Sequence, residues 1–366
     1  MSKMRIIIAG GGTGGHIFPA VAIGHALQRL KDGTQLLFVG AKGKMEMEKV
    51  PQEGFEIVGL DIAGFNRSNL LKNLSLPFKL LKSRAQARRI IRDFKPNAVV
   101  GVGGYASFPM LNAAQGMNIP TLVQEQNSFA GKSNKILAKK AKAVCVAYEH
   151  MERFFPKGKI ILTGNPVRRN ISAMNITRAE GQVWLGLNAN RRTILIVGGS
   201  LGAKSINETI DAHMEEILAE DVQLVWQTGK PYYEQAKKRA AGFSDKVKVF
   251  EFIKEMDYAY AAADVVISRA GALAIAELCI AGKPVVFVPY PFAAEDHQTS
   301  NAMALVEHNA AMMVKDNDAK TELVKKLKNL LHDNAMQQVM KESLHRLAIK
   351  DADERIAKKV FEIATQ

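Results

Sequence analysis

Two glycine-rich turns, one in each half of the chain, constrain its fold more than any other feature. The first, GGGTGGH, covers residues 10–16, and the second, GGSLGA, covers residues 198–203. Each follows a short apolar segment and precedes a stretch whose apolar residues recur at helical spacing. Glycine lets the backbone approach a ligand closely, and the first N–H groups of the following helix favour negative charge. Two such turns, each opening its own α/β unit, predict two Rossmann-like domains that face each other across a cleft.

Apolar runs alternate with helix-spaced segments through both halves, which is typical of βαβ units and parallel sheets. A length of 366 residues also favours two domains over one. The predicted strands are residues 4–9, 35–39, 56–60, 98–102, 121–124, 143–146 and 159–162 in the first half, and 193–197, 223–227, 247–250, 265–268, 285–288 and 311–314 in the second. A last helix, predicted from Asp351 onward, could close either domain.

The excess of basic residues lies entirely in the first half of the chain. Residues 1–165 contain 24 Lys and Arg against 10 Asp and Glu, whereas the remainder contains 26 of each. The excess is concentrated in residues 66–95, with nine basic residues and one acid, and in residues 132–142, with five lysines and no acid. We therefore expect an anionic partner to meet the first half alone.

The composition argues against a secreted or membrane-spanning protein. The longest uncharged stretch, residues 96–124, is interrupted by Asn, Gly and Pro, so its apolar runs are too short to span a bilayer. The N-terminal residues lack the cleavage pattern of a signal peptide. Cys145 and Cys279 lie in apolar contexts without metal-ligand spacing, which predicts buried free thiols in the cytoplasm.

The first glycine-rich turn matches the dinucleotide-binding fingerprint but lacks its acidic partner. The second predicted strand ends in Phe38-Val39-Gly40-Ala41-Lys42, without the carboxylate that would bind a ribose. This disfavours NAD and leaves an anion-binding turn, with His16 placed to face the ligand. A third glycine turn, at residues 101–109, also follows a predicted strand and precedes a helix. Two such turns in the basic half predict a ligand with more than one phosphate.

The second half carries the features of a nucleotide site. Residues 268–277, SRAGALAIAE, combine a strand end, a glycine turn and a helix start made of small residues. Glu277 lies one turn into this helix, where a carboxylate can accept both hydroxyls of a ribose. Gly198-Gly199-Ser200-Leu201-Gly202 also fits the nucleophile elbow of a serine hydrolase, for which His297 together with either Asp264 or Asp296 could complete a triad.

Asp316-Asn317-Asp318 imitates the Asp-x-Asp metal motif of many sugar transferases. It lies between a predicted strand and a Lys-rich helix, where helix capping is the simpler interpretation. We therefore predict no protein-bound metal and no other cofactor.

A leucine-rich basic segment covers residues 69–94 and is interrupted by Pro77. Apolar side chains ringed by Lys and Arg suit an anionic membrane surface. A nucleic-acid partner fits the charge but not the motifs, because no recognised binding module or interleaved aromatic residues are present. The predicted membrane surface consists of Leu70, Leu71, Lys72, Leu74, Phe78, Lys79, Lys82, Lys139 and Lys140.

Seven motifs, taken in their order and spacing, resemble those of the MurG family, the UDP-GlcNAc:lipid I N-acetylglucosaminyltransferases of peptidoglycan synthesis. They are GGGTGGHIFPA (10–20), GVGGYASFP (101–109), EQNSFAGKSNK (125–135), GNPVR (164–168), GGSLGA (198–203), SRAGALAIAE (268–277) and DHQTSNA (296–302). The resemblance runs essentially from end to end. One residue departs from it: Gln124 stands where many members have His.

The resemblance implies a GT-B fold, with an acceptor- and membrane-binding domain at 1–165, joined by a returning C-terminal helix at about 346–366. A UDP-GlcNAc-binding domain would occupy residues 166–345. It implies an inverting hexosyltransferase that moves GlcNAc to the C4 hydroxyl of MurNAc in lipid I, giving lipid II and UDP. A UDP-GlcNAc 2-epimerase and a non-catalytic nucleotide-sugar scaffold are the alternatives. The expected location is the cytoplasmic side of the inner membrane, as a peripheral protein, with further proteins of cell-wall synthesis and division as partners.

The resemblance also implies roles for individual residues. His16 is the first candidate for the general base and Glu125 the second. The residues implied for UDP-GlcNAc are Thr13, Gly14, Gly15, Asn127, Arg168, Ser200, Ile253, Ala272, Leu273, Ala274, Ile275, Ala276, Glu277 and Gln298. Those implied for the acceptor's diphosphate are Gly12, Gly103, Gly104 and Tyr105.

Overall fold

The computed structural model describes residues 3–62 and 76–365, with the side chains of residues 76–81 excepted. The chain divides into two compact units: Met1–Arg168 with Asp351–Gln366, and Arg169–Lys350. The sequence places these boundaries a few residues earlier, at 165/166 and at about 345/346.

The first unit alternates strands and helices from its N-terminus. Its strands are β1 (Arg5–Ala9), β2 (Gln35–Ala41), β3 (Ile57–Leu60), β4 (Ala98–Gly101), β5 (Thr121–Glu125), β6 (Ala143–Val146) and β7 (Ile160–Leu162). Its helices before the unit boundary are α1 (Gly14–Leu30), α2 (Glu46–Gln52), α3 (Leu76–Phe94), α4 (Ser107–Gln115) and α5 (Lys132–Ala138). The strands pair in parallel in the order β3-β2-β1-β4-β5-β6-β7.

The second unit repeats this plan with a smaller sheet. Its strands are β8 (Arg192–Val197), β9 (Val222–Gln227), β10 (Val247–Phe250), β11 (Val265–Ser268), β12 (Val285–Phe287) and β13 (Met312–Met313), paired in parallel in the order β10-β9-β8-β11-β12-β13. Its helices are α6 (Arg169–Ser172), α7 (Arg178–Trp184), α8 (Lys204–Ala212), α9 (Met214–Leu218), α10 (Tyr233–Ala240), α11 (Met256–Ala262), α12 (Ala272–Ala281), α13 (His297–Val306), α14 (Ala319–His332) and α15 (Asn334–Leu347).

The last helix, α16 (Ala352–Ala364), belongs to the first unit. Its apolar face, which includes Ile356, Val360 and Ile363, packs in one core with residues of β1 and α1. Arg29 of α1 and Asp353 of α16 form an ion pair of 2.7 Å at the edge of this contact. The last helix therefore closes the first domain and not the second.

Both sheets are covered by apolar side chains, and their strands read as nearly continuous apolar runs because each face is buried. Within the described part of the chain, all thirteen predicted strands are present, with ends shifted by no more than two residues. Cys145 and Cys279 are both buried free thiols, as predicted. None of the described helices combines the length and the hydropathy that crossing a bilayer requires.

Candidate functional site

The first and third glycine turns lie side by side at one edge of the first sheet. They follow β1 and β4, which are hydrogen-bonded neighbours, so their carboxyl ends meet. Strand order reverses between these two strands, since β2 and β3 lie beyond β1 while β5, β6 and β7 lie beyond β4. In open α/β sheets this reversal point is where ligands bind.

The two turns approach each other so closely that only glycine fits. A Cβ atom on Gly104 would lie 2.1 Å from the carbonyl oxygen of Gly11, and one on Gly10 would lie 2.2 Å from Cγ2 of Val102. Gly103 and Gly104 both have positive φ angles, of 92° and 80°. The turns therefore form one continuous backbone surface, which is the arrangement that an anion-binding site requires.

His16 lies where the two turns meet. It is in the first turn of α1, and Thr13 at the N-cap position lies beside it, with its Oγ1 3.3 Å from Nδ1 of His16. A Cβ atom on Gly103 would lie 2.7 Å from Nε2 of the imidazole, so the ring packs against the backbone of the third turn. Gly14 and Gly15 open the same helix. Tyr105 is half exposed, with its ring close to Gly12.

Glu125, the second candidate base, is buried at the end of β5. It accepts hydrogen bonds from the loop between β5 and α5 and from α5 itself. Asn127 donates to Oε1 through its backbone N–H at 3.1 Å and its side chain at 3.3 Å. The N–H of Gly131 and the side-chain amide of Asn134 donate to Oε2 at 3.1 and 2.9 Å. Burial raises the pKa of Glu125, and these donated bonds oppose the shift. The arrangement suits a carboxylate that orders the loop carrying Asn127.

Gln124 is fully buried within a chain of amide hydrogen bonds. Its Nε2 donates to Oδ1 of Asn165 at 3.2 Å, and its Oε1 accepts from Gln126. Gln126 also donates to the carbonyl of Val102, directly before the third turn, at 2.7 Å. Asn165 returns a bond from its side chain to the carbonyl of Gln126 at 2.9 Å. The side chain at position 124 therefore connects three segments of the first unit and faces inward.

The second unit repeats the placement of turns at a reversal of strand order. The turn at residues 198–203 follows β8, and the turn at residues 269–271 follows β11, its parallel neighbour. Helices α8 and α12 begin after these turns with Ala203 and Gly271 at their N-cap positions, and neither side chain can cap a helix. Ser200 is exposed in the first of these turns, and residues 272–276 form the start of α12. Both helix starts suit a diphosphate.

Gln227, at the end of β9, links this turn to the loop carrying Ile253. Its Nε2 donates to the carbonyl of Gly199 at 3.1 Å, and its Oε1 accepts the backbone N–H of Ile253 at 2.9 Å. Ile253 itself is buried. The backbone around Ile253, which the resemblance implies for uracil, is thus held in place by Gln227, a residue outside the quoted motifs.

Glu277 lies in the second turn of α12. The stabilisation of a carboxylate by the helix dipole falls off within the first turn, so it does not account for an acid at this position. It is buried, and its Oε2 accepts from the hydroxyl of Tyr260 at 3.1 Å. A buried carboxylate at the carboxyl edge of a nucleotide-binding sheet is suited to ribose hydroxyls.

Arg269 joins four segments around the turn after β11. Its guanidinium donates to the carbonyls of Val288 and Pro289 at 2.9 and 3.1 Å and to Oγ of Ser205, in α8, at 3.2 Å. It also pairs with Asp316, which accepts a bond from Ser205 as well. The prediction that Asp316-Asn317-Asp318 caps a helix is correct only in position: Asp318 is the N-cap residue of α14, but its side chain accepts no capping bond, and the carboxylate of Asp316 pairs with Arg269.

Gln298 and Arg168 occupy defined positions in separate units. Gln298 is the second residue of α13, and its Oε1 accepts the backbone N–H of Tyr290 at 2.9 Å, which leaves its amide group to donate. Arg168 lies at the end of the first unit, with its guanidinium carbon 5.7 Å from the ring centroid of Phe18 in α1.

Part of the predicted membrane surface lies outside the described residues. This applies to Leu70, Leu71, Lys72 and Leu74 and to the side chains of Phe78 and Lys79. Lys82 forms an ion pair of 3.1 Å with Asp61, which also pairs with Lys42, and these two lysines lower the pKa of Asp61. Lys139 and Lys140 are exposed after α5, where Ile136 is also exposed.

Comparisons with known proteins agree along the whole chain. Residues 6–146 match the glycosyltransferase family 28 N-terminal domain, and residues 193–356 match the glycosyltransferase family 28 C-terminal domain. A relative from Bacteroides thetaiotaomicron is 51% identical over 99% of this chain and 98% of its own length. It is named UDP-N-acetylglucosamine–N-acetylmuramyl-(pentapeptide) pyrophosphoryl-undecaprenol N-acetylglucosamine transferase. The crystal structure of Acinetobacter baumannii MurG has a TM-score of 0.80 and 31% identity, covering 98% of this chain and 99% of that one.

The chain belongs to the MurG family. It is accordingly a hexosyltransferase with two parallel-sheet α/β domains of the GT-B type. A UDP-GlcNAc 2-epimerase from Neisseria meningitidis has a TM-score of 0.69 at 15% identity, covering 98% of this chain and 100% of its own, and shares the fold alone. The epimerase alternative is therefore not favoured over the MurG family.

The serine-hydrolase alternative also fails on geometry. Asp264 precedes β11, whereas Ser200 follows β8, so they lie at opposite ends of the same parallel sheet. Asp264 accepts two of the bonds that the guanidinium of Arg178 donates, each of 2.9 Å, and Nδ1 of His297 donates to the carbonyl of Ala294 at 2.6 Å. The residues nominated for a triad have other structural roles.

Three polar residues contact the turns of the candidate site, although the sequence analysis assigns no role to them. Gln227, Arg269 and Glu46 are polar side chains outside the quoted roles, and each bonds to the backbone of a turn or loop at the site. Their partners are distant along the chain or belong to a different strand. Only the fold reveals these contacts.

Proposed function

We propose that this chain transfers N-acetylglucosamine from UDP-GlcNAc to the C4 hydroxyl of MurNAc in lipid I, giving lipid II and UDP. The observation that carries this proposal is the near-full-length match to relatives named as this transferase. The paired turns of each unit support it, since a nucleotide diphosphate and a lipid diphosphate each need such a site. The second unit binds UDP, and the first binds the acceptor.

In the proposed reaction, the MurNAc C4 oxygen attacks C1 of GlcNAc in one displacement that inverts the anomeric centre. The new C1–O bond forms as the bond from C1 to the UDP oxygen breaks, and UDP leaves with the electron pair. The hydroxyl proton passes to His16, whose imidazole is positioned at the contact of the two turns of the first unit. Glu125 holds Asn127 toward the donor sugar and takes no proton.

Charge develops on the leaving diphosphate, so the site must supply fixed positive potential. The starts of α8 and α12, together with Arg168, supply it in this proposal. Glu277 accepts the ribose hydroxyls, the backbone around Ile253 meets uracil, and Gln298 donates to the sugar. We also propose that no metal held by the protein takes part; transfer that persists at its full rate in excess EDTA supports this, and loss restored by Mg²⁺ contradicts it.

The transfer is tested by supplying UDP-[¹⁴C]GlcNAc and a lipid I analogue to the purified protein. Label is expected to enter the lipid fraction only when both substrates are present. Conversion of UDP-GlcNAc to its 2-epimer without acceptor would instead support the epimerase alternative. Binding of UDP without either reaction would support a nucleotide-sugar scaffold.

We further propose that the chain is a peripheral protein whose basic first unit binds the anionic cytoplasmic leaflet. The contacts are made by the leucine-rich basic segment, residues 69–94, and by the exposed Lys139 and Lys140. Each basic residue near such a surface contributes about 1 kcal/mol, and salt screens the attraction. Sedimentation with phosphatidylglycerol vesicles should exceed that with phosphatidylcholine vesicles and decrease as NaCl rises. Equal sedimentation with both vesicles would contradict this part of the proposal.

A further inference from the structure

Glu46 is a buried carboxylate directly against the first glycine-rich turn. Its Oε2 accepts the backbone N–H of Gly12 at 2.8 Å, and its Oε1 accepts the backbone N–H of Ala41 at 2.9 Å. Only 2% of the residue is exposed. It is the first residue of α2, where the N–H groups of the helix start favour a negative charge.

Two glycines make room for this side chain. A Cβ atom on Gly11 would lie 2.3 Å from Cδ of Glu46, and one on Gly40 would lie 2.4 Å from its Cγ. Gly11 has a φ angle of 137°, which side-chain-bearing residues rarely adopt. The carboxylate therefore fills a slot between the end of β2 and the turn, and it joins them in addition to the backbone bond from the N–H of Gly10 to the carbonyl of Val39.

The turn that Glu46 holds is the one that positions His16. Gly12 directly precedes Thr13, the N-cap residue of α1, whose hydroxyl oxygen lies 3.3 Å from Nδ1 of His16. We infer that Glu46 is a positioning residue for the transfer, which fixes the first turn so that His16 reaches the acceptor hydroxyl. Because the N–H of Gly12 is donated to Glu46, that one donor of the first turn is not available to the acceptor's diphosphate. This inference rests on the proposed transferase function.

The test substitutions are Glu46→Gln and, as a matched control on the same helix, Glu48→Gln. Glutamine has one carbonyl oxygen, so it can accept only one of the two backbone bonds and turns its amide group toward the other donor. For Glu46→Gln, kcat is expected to fall by about 10- to 100-fold, because small displacements of a catalytic group cost about that much. UDP affinity, measured by calorimetry, should stay within about twofold, since it belongs to the second unit. Glu48 is exposed, and Glu48→Gln should leave kcat unchanged.

Hydrogen exchange gives a readout that does not depend on activity. In the wild-type protein the Gly12 amide should exchange slowly, and in Glu46→Gln exchange should accelerate in the peptide that covers residues 5–18. Rapid exchange of Gly12 in the wild type would overturn the inference. So would a wild-type kcat in Glu46→Gln, or a loss of kcat matched by an equal loss of UDP affinity.

If Glu46→Gln does not fold, Glu46→Asp takes its place. Aspartate keeps the charge but is one methylene shorter, so it cannot reach both backbone donors, and the same fall in kcat is expected. A wild-type kcat in Glu46→Asp would overturn the inference. A wild-type protein that transfers no sugar would defeat the proposed function instead, and the exchange of Gly12 would still report on Glu46.

Discussion

At the scale of single residues, the site depends on side chains held against glycine backbone. The imidazole of His16 packs on Gly103, and Thr13 flanks its other nitrogen. A general base needs such a fixed placement, because its nitrogen must lie within hydrogen-bond reach of the proton that it takes. Glu125, by contrast, accepts three hydrogen bonds from the loop that follows it and one from Asn134 in α5.

Substitution of His16 by Ala should separate turnover from nucleotide binding. We expect kcat to fall by about 10²- to 10⁴-fold, which is the usual contribution of a general base. The dissociation constant for UDP should stay within about twofold, because the proposed UDP contacts lie in the second unit. Calorimetry and a saturated transfer assay measure the two quantities. Weakened UDP binding with unchanged turnover would make His16 a binding residue.

The second residue-scale prediction concerns the departure from the family at position 124. Gln124 is buried against Gln126 and Asn165, so a His there would meet amides and not a reacting group. We expect Gln124→His to keep kcat within about threefold of wild type and to leave the pH profile of kcat/KM unchanged. A new ionisation in that profile, with a gain in rate, would show that position 124 takes part in proton transfer.

At the scale of secondary-structure elements, the second unit's turns are tied together by Arg269 and Asp316. This pair connects the turn after β11 to the start of α8 and to the loop after β12. A planar guanidinium can hold several acceptors at once, which a lysine cannot. The pair therefore fixes the relative positions of segments that meet the nucleotide.

The Asp-Asn-Asp sequence supplies its own matched control for this network. Asp316→Asn removes the charge that pairs with Arg269, and we expect UDP binding to weaken by about tenfold, equivalent to about 1.4 kcal/mol. Asp318→Asn, two residues along and exposed, should bind UDP as the wild type does. Calorimetric titration of both variants with UDP measures the difference. Equal affinities would mean that the Arg269–Asp316 pair does not support the nucleotide site.

The predictable elements are those whose signal is local. Parallel strands buried on both faces are short apolar runs, and turns with positive φ need glycine, so both could be predicted from sequence. The role of Asp316 could not be predicted. Its neighbours in the sequence favour helix capping, whereas its actual partner, Arg269, lies far away along the chain. Glu46 and Gln227 were missed for a related reason: their partners are backbone N–H and carbonyl groups, which leave no mark in the sequence.

At the scale of the whole molecule, the chain combines two units of the same plan and different charge. The first unit contains the excess of basic over acidic residues, and it includes α16 from the end of the chain. The second unit has balanced charge and carries the buried Glu277. This asymmetry is consistent with the proposal that a soluble nucleotide sugar binds one unit and an acceptor linked to a lipid diphosphate binds the other.

The most direct measurement is two-substrate steady-state kinetics of GlcNAc transfer by wild type, Glu277→Gln and Tyr105→Ala. Glu277→Gln should raise KM for UDP-GlcNAc by about tenfold or more and leave KM for the lipid I analogue within about twofold. Tyr105→Ala, at a half-exposed residue of the third turn, should do the reverse. If Tyr105→Ala instead raises KM for UDP-GlcNAc, or Glu277→Gln raises KM for lipid I alone, the assignment of donor and acceptor to the two units is contradicted.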